Sequence, residues 1–359
     1  MKTTHDVRPF LREKVKRALE STGRTYFVRE GGFASLDINM GVDKAVALND
    51  FVKEENIDLE ASMYFGDEFE LNGNDTPVTK LKGKNSSFRV ISVGSKPPAD
   101  GVEGVEWVGG GPERTRNILK RILKGLETGE DTIVIGVTEE ERKINAEIEI
   151  NIKKLKEKGG LLFDVDGTIL QRKEFTFYND KETRDIFKAL LKEGITVGII
   201  SGNSRIEQSH RIVHPLEEAD SNLEGLALYA NGGATRITYR NGKEKVENLA
   251  GAVPREDIEV IKGVAEEYAR EQFGLNAEEL RAWKDFYGAK DGIGKREGFP
   301  ELDVRWMNKG EWSMNIVKAE DIKEEKVKRV SCPWVEVRDG VQVSIKLLPK
   351  RLEILADAL

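Results

Sequence analysis

The ten residues Gly159-Gly160-Leu161-Leu162-Phe163-Asp164-Val165-Asp166-Gly167-Thr168 constrain this chain more than any other stretch. A short apolar run reads as a strand buried on both faces, as a parallel sheet requires. The run stops at two aspartates, and ligands of an open α/β sheet bind outside the carboxyl ends of its strands. Carboxylates one residue apart suit a division of labour. One can attack phosphorus and hold a divalent cation, and the other can give and take a proton. Gly167 allows a sharp turn behind them, and the Thr168 hydroxyl is expected to brace that turn. A plain Asp-Gly turn would explain these last residues alone, but not the partner motifs elsewhere in the chain.

Composition narrows the class. The chain has 359 residues, 38% hydrophobic and 34% charged, which predicts a soluble globular protein of about two domains. A net charge of −7 argues against nucleic acid as a partner. The single cysteine, Cys332, excludes an internal disulfide and suits a reducing, cytoplasmic compartment. The histidines are His5, His210 and His214, too few for a histidine-rich site, so a metal is expected to be a hard cation held by oxygen. No apolar run reaches membrane-spanning length, and residues 1–20 lack the apolar core of a signal peptide. No membrane partner is expected.

Periodicity predicts a helix over 6–20 with Phe10, Val15 and Leu19 on its apolar side. Strands follow at 25–28 and 33–38, a helix at 44–54, strands at 61–65, 88–93 and 105–108, a helix at 113–126, a strand at 132–136 and a long charged helix over 139–158. Beyond the Asp164 strand come a helix at 180–193, a strand at 195–200, a helix at 206–214 and a strand at 225–230. This alternation predicts a doubly wound parallel sheet over 41–230. From residue 234 the pattern changes. A hairpin turns at Asn241-Gly242, a helix spans 257–272, and strands lie at 312–317, 334–338 and 341–346. These predict a separate, smaller α+β domain.

Three further element ends carry candidate chemistry. Ser201 opens Ser201-Gly202-Asn203-Ser204; its hydroxyl and the adjacent N–H groups can hold a phosphoryl oxygen, although alone it reads as a turn. Lys44, at a predicted helix start, can neutralise phosphate charge, although alone it reads as a surface lysine. Asp67, with Asn74 and Asp75 behind it, can complete a Mg²⁺ site, which needs one or two carboxylates, water and a substrate phosphate. Glu68 and Glu70 leave an ordinary acidic loop as the alternative. Gly109-Gly110-Gly111-Pro112 lacks the G-K-[ST] of a phosphate loop and reads as a turn. Trp283, Phe286 and Tyr287 read as domain core before ligand cover.

Together these elements resemble the haloacid dehalogenase (HAD)-like phosphotransferase superfamily. Within it they are most similar to the phosphomannomutase and sugar-phosphate phosphatase branch, which carries an α/β cap. The shared strings are FDVDGT ending at Thr168, ANGG at 230–233, EGGFASLDINMGVDK at 30–44 and FGDEFELNGND at 65–75. The resemblance implies a Rossmannoid core over 41–230 and a cap built from 231–359 together with 1–40. It implies a small phosphorylated substrate, a sugar phosphate, hydrolysed with Mg²⁺ through an aspartyl-phosphate on Asp164. Asp166 would be the general acid and base. Asp164, the Asp166 backbone carbonyl and Asp67 would hold the metal, with Asn74 or Asp75 ligating or orienting. Lys44 would offset phosphoryl charge, Ser201 would hydrogen-bond the phosphoryl group, and Ser35, Asp37, Gly202 and Asn203 would contact the substrate.

The order of these motifs is unusual. In the family the D-x-D-G-T strand comes first; here the lysine and acidic motifs precede it, so the chain reads as a circular permutant. A hexose phosphomutase is the alternative function. Phosphomannomutases place an arginine just after the strand that here reads 310–317, and this chain continues with Lys318-Ala319-Glu320-Asp321, which favours hydrolysis. Arg281, Lys284 and Arg296 could compensate. A non-catalytic sugar-phosphate binder would be expected to carry a damaged motif. Nothing in the sequence sets the oligomeric state.

Overall fold

The computed structural model describes residues 8–31, 35–83, 86–135, 148–171, 176–273 and 330–350. The chain divides into two compact units. One comprises Asn39–Ala252 with Arg338–Gln342, and the other Met1–Ile38, Val253–Val337 and Val343–Leu359. Numbered along the chain, the strands of the first half are β1 (Tyr26–Gly31), β2 (Ser35–Met40), β3 (Met63–Gly66), β4 (Arg89–Ser92), β5 (Val105–Trp107), β6 (Thr132–Ile135) and β7 (Ile148–Asn151). Those of the second half are β8 (Gly160–Phe163), β9 (Thr196–Ile200), β10 (Leu226–Ala230), β11 (Thr235–Arg240), β12 (Lys243–Asn248), β13 (Val330–Arg338) and β14 (Gln342–Lys350).

The larger unit is a mixed α/β fold around a sheet of order β12-β11-β10-β9-β8-β3-β4-β5. From β10 to β5 every pairing is parallel. The strands are short and apolar because both faces are covered. Leu161 and Phe163 of β8 join Met63 and Phe65 in one core cluster, while Leu162 and Tyr64 point into the other. Each such side chain contributes about 1.5–3 kcal/mol by leaving water. The chain runs outward from β3 through β4 to β5, returns to β8 beside β3, and runs outward again through β9 and β10. The strand order therefore reverses at the β3–β8 pair, the position where doubly wound sheets place their ligands.

Three expectations are corrected here. The hairpin at 235–248 belongs to the larger unit, whose boundary falls at Ala252 instead of residue 230. Pairing of β11 with β10 protects what would be an open sheet edge, and Ile237 and Tyr239 are buried in its core. Second, the long helix over 139–158 is replaced, where the chain is described, by β7 and a short helix Ile152–Lys158. Alternation of buried Ile148 and Ile150 with exposed Glu149 and Asn151 is a period of two, obscured by the charged residues around it. Asn151 then caps the helix by accepting a bond from Lys154 N. Third, β6 and β7 form a two-stranded sheet of their own, so the parallel sheet does not take in every strand between 41 and 230.

In the smaller unit, a sheet of order β1-β2-β14-β13 joins the N-terminal strands to the C-terminal ones. Helices α1 (Arg8–Glu20) and Arg255–Phe273 pack Leu11, Val15 and Leu19 with Ile261, Val264 and Tyr268. Leu11 takes the core position expected of Phe10, which is 50% exposed and rests on the ring of Tyr268 at 6.1 Å. The predicted strand at 312–317, the aromatic residues 283, 286 and 287 and the basic residues 281, 284 and 296 lie outside the described residues. No helix among the described residues is long and apolar enough to cross a membrane.

Candidate active site

Asp164 and Asp67 are the first residues beyond the neighbouring strands β8 and β3, and Ser201 the first beyond β9. Register aligns these ends: Phe163 pairs with Phe65 on one side and Ile199 on the other. Lys44 arrives from elsewhere. Asp43 caps the helix Lys44–Glu54 by accepting bonds from Ala45 N and Val46 N, which sets Lys44 as its first residue.

The Lys44 ammonium bridges two buried carboxylates, donating 2.7 Å bonds to Asp164 Oδ1 and Asp75 Oδ1. Asp75 is held further by the Tyr64 hydroxyl at 2.6 Å and by Asp67 N and Glu68 N at 3.0 and 2.9 Å. Its oxygens thus already accept four hydrogen bonds, and its first task is to brace Lys44 and the turn carrying Asp67. Gly66 makes room for it: a Cβ there would lie 2.6 Å from the Asp75 carboxyl carbon. Asn74 lies half-buried one residue before it.

Electrostatics follow from enclosure. Burial pushes the Asp67 carboxyl well above its ordinary range, and the charges of Asp164 and Asp75 push it further. Burial also raises Asp164, to about 7, against the opposing pull of Lys44. Burial alone would lower Lys44, but the charges of Asp164 and Asp75 outweigh it and hold the ammonium protonated above its usual range. Ligand atoms of Asp67, Asp75 and Asp164 lie within 4.8 Å of one another, so three carboxylates face the one ammonium of Lys44. That imbalance and the all-oxygen donor set fit a hard divalent cation such as Mg²⁺.

Asp166, whose side chain is 47% exposed, is gripped by Arg211, whose side chain is 0% exposed, through bonds of 3.0 and 2.5 Å. Asn203 Nδ2 reaches Asp166 Oδ2 at 3.3 Å and Ser201 Oγ at 2.9 Å, and Asn203 N reaches the same Oγ at 3.2 Å. Ser201 is therefore tied to Asp166 through Asn203. Gly202 offers its carbonyl to Arg338 Nη1 at 2.5 Å. Ser35 and Asp37 lie on β2 in the smaller unit, where Asp37 accepts a 2.7 Å bond from the Ser344 hydroxyl.

Gly167 turns as expected, with φ of 85°. The Thr168 hydroxyl does not brace that turn; it is buried without a hydrogen-bond partner, because backbone N–H groups of residues 168–170 close the turn on Val165 O. A Cβ on Gly167 would overlap Asp67 Oδ2 outright. Gly167→Ala is thus expected to displace Asp67 and weaken Mg²⁺ binding at least about tenfold, read by titration calorimetry on the folded variant. Unchanged affinity would remove Asp67 from the metal site.

Arg211 was not singled out from the sequence, although a signal was there. Gln208, Arg211, Ile212 and Leu216 recur at helical spacing and are all buried, and a cation within a buried stripe requires a carboxylate partner.

The raised acids make stability depend on pH. A carboxyl raised on folding binds its proton more tightly in the folded state, so its stabilisation is complete below the unfolded pKa and is lost as pH rises through the folded one. The metal-free protein is expected to lose melting temperature from about pH 4 up through about 7, the value for Asp164. Mg²⁺ should restore it most at the alkaline end. Melting scans across pH with and without Mg²⁺ check this; a flat or rising metal-free profile in that window would contradict it.

Comparison of the chain with protein-family models and with curated proteins finds no match.

Proposed function

We propose that the protein is a Mg²⁺-dependent phosphatase of the HAD-like kind, hydrolysing a small phosphate monoester, a sugar phosphate, through an aspartyl-phosphate. The observation that carries this reading is Lys44 bridging Asp164 and Asp75 beside Asp67. Residues from three separated stretches bring together a buried nucleophile, a fixed cation and a metal-ligand set at the point where the strand order reverses. Phosphoryl transfer needs little else from a protein. Counted from β8, the parallel strands run in the order 3-2-1-4-5-6, the commonest doubly wound order, which supports the permuted reading.

In this scheme an Asp164 oxygen attacks phosphorus as the bond to the leaving oxygen breaks, and Asp166 supplies that oxygen with a proton. Asp166 then takes a proton from water as water attacks the aspartyl-phosphate, which frees phosphate and Asp164. Lys44 offsets charge on the phosphoryl oxygens. Ser201 donates a hydrogen bond to them, its Oγ oriented by Asn203. Asp164 and Asp67 would hold Mg²⁺, which supplies charge neutralisation of the phosphoryl group. By the same resemblance the smaller unit, which carries Ser35 and Asp37, has the part of a cap that selects the organic portion of the substrate. The lone cysteine supports a reducing, cytoplasmic setting.

A panel of phosphorylated sugars is the direct test. Inorganic phosphate should be released without any bisphosphate activator, should stop on chelation and should resume with Mg²⁺. Interconversion of hexose 1- and 6-phosphates that depends on a bisphosphate and frees little phosphate would establish the mutase. Activity surviving thorough metal removal would rule out the metal site.

A further inference from the structure

Resting on the phosphatase reading, we infer that Arg211 is a positioning residue, a clamp that sets the Asp166 carboxylate for proton transfer and links it to the phosphoryl-binding loop. The two aspartates of the motif are held in different ways. Asp164 is buried, and its contact with Lys44 is a single bond to a point charge. Asp166 lies past the strand end on a half-exposed turn, where an unrestrained carboxylate would sample several rotamers. Arg211 places one guanidinium nitrogen on each oxygen, and such a planar fork fixes orientation as well as charge.

The clamp is itself anchored. Arg211 lies in a π turn, Ser209–Val213, an irregularity found often at functional sites. Its carbonyl accepts a 2.8 Å bond from Phe177 N, and Ile212 and Val213 beside it are buried. Burying a guanidinium is costly unless it is paired, so an arginine brought inside to meet a half-exposed aspartate does more than decorate the surface. Asn203 completes the link, touching both Asp166 and Ser201. The group that moves the proton and the group that holds the phosphoryl oxygen therefore share one rigid bracket.

Leaving groups separate this role from a structural one. Departure of a sugar alkoxide needs a proton; departure of p-nitrophenolate does not. With Mg²⁺ enzyme in single turnover, Arg211→Lys, which keeps the charge but loses the fork, should slow alcohol release from glucose 6-phosphate about a hundredfold. Release from p-nitrophenyl phosphate should fall only about fivefold or less, and KM should hold within about twofold. Asp166→Asn should show the same split, and adding Arg211→Lys to it should cost nothing further. Arg211→Gln, a planar donor without the buried charge, carries the same test if the lysine variant does not fold. Equal losses on both substrates, a further loss in the Asp166→Asn background, or wild-type rates would each overturn the inference while leaving the phosphatase standing. A wild-type protein that cleaves neither p-nitrophenyl phosphate nor any member of the sugar-phosphate panel would bring down the phosphatase reading and this one with it.

Discussion

Asp164→Asn is expected to cut phosphate release by at least about a thousandfold, the scale seen when a covalent nucleophile is removed, without loss of the fold. Asp164 follows β8 and packs no core; the strand is held by Leu161, Leu162 and Phe163. Lys44 keeps Asp75 as its partner in the variant, so the ammonium is not stranded. The substitution removes one of three crowded carboxylates, and the metal-free variant should melt at or above the wild-type temperature near pH 8. Mg²⁺ should stabilise it less than it does the wild type. Near-normal turnover in a well-folded variant would eliminate the aspartyl-phosphate, and a large fall in melting temperature would mean that Asp164 is structural.

Lys44→Met is expected to damage stability and chemistry together. It leaves Asp164 and Asp75, whose side chains are 9% and 1% exposed, without the cation between them. Breaking a buried pair by removing one partner typically costs about 3–5 kcal/mol. Loss of a fixed charge aimed at the transferring phosphoryl group should lower kcat by roughly 10²–10³. Adding Asp75→Asn should recover much of the lost stability, since a carboxylate then no longer faces Asp164, yet should recover no activity. Calorimetric melts and turnover of the single and double variants measure both. A Lys44→Met protein as stable as wild type would show that another group balances the carboxylates; a double variant that regained activity would remove Lys44 from the chemistry.

Much of the site was legible because each part is a local signal. Asp164 and Asp166 end an apolar run, Asp67 ends another, Ser201 a third, and Lys44 follows a helix cap at Asp43. Which side chains pair across the fold was not legible. Tyr64 alternates along a buried strand and looks like core, yet its hydroxyl holds Asp75. Arg211 sits 45 residues from Asp166, and the bonds by which Asn203, a candidate substrate contact, joins Ser201 to Asp166 form only where two strand ends meet. The fold shows the same division. Strands buried on both faces announced themselves, whereas β7 was hidden because four residues among charged neighbours carry too little periodicity to separate strand from helix.

By itself the sequence determined roughly where the strands of the parallel sheet lie, to within about two residues at each end, and which carboxylates follow them. Apolar runs and their polar stops are properties of neighbouring residues. Only the tertiary structure decided that β8 lies between β9 and β3, that the 235–248 hairpin closes the edge of the same sheet, and that Lys44 reaches Asp164 across 120 positions. The physical reason is that burial and charge pairing act through space. A lysine reads as a solvated surface residue until the fold encloses it between two carboxylates, and Asp164 has an ordinary pKa until a low-dielectric pocket raises it to about 7.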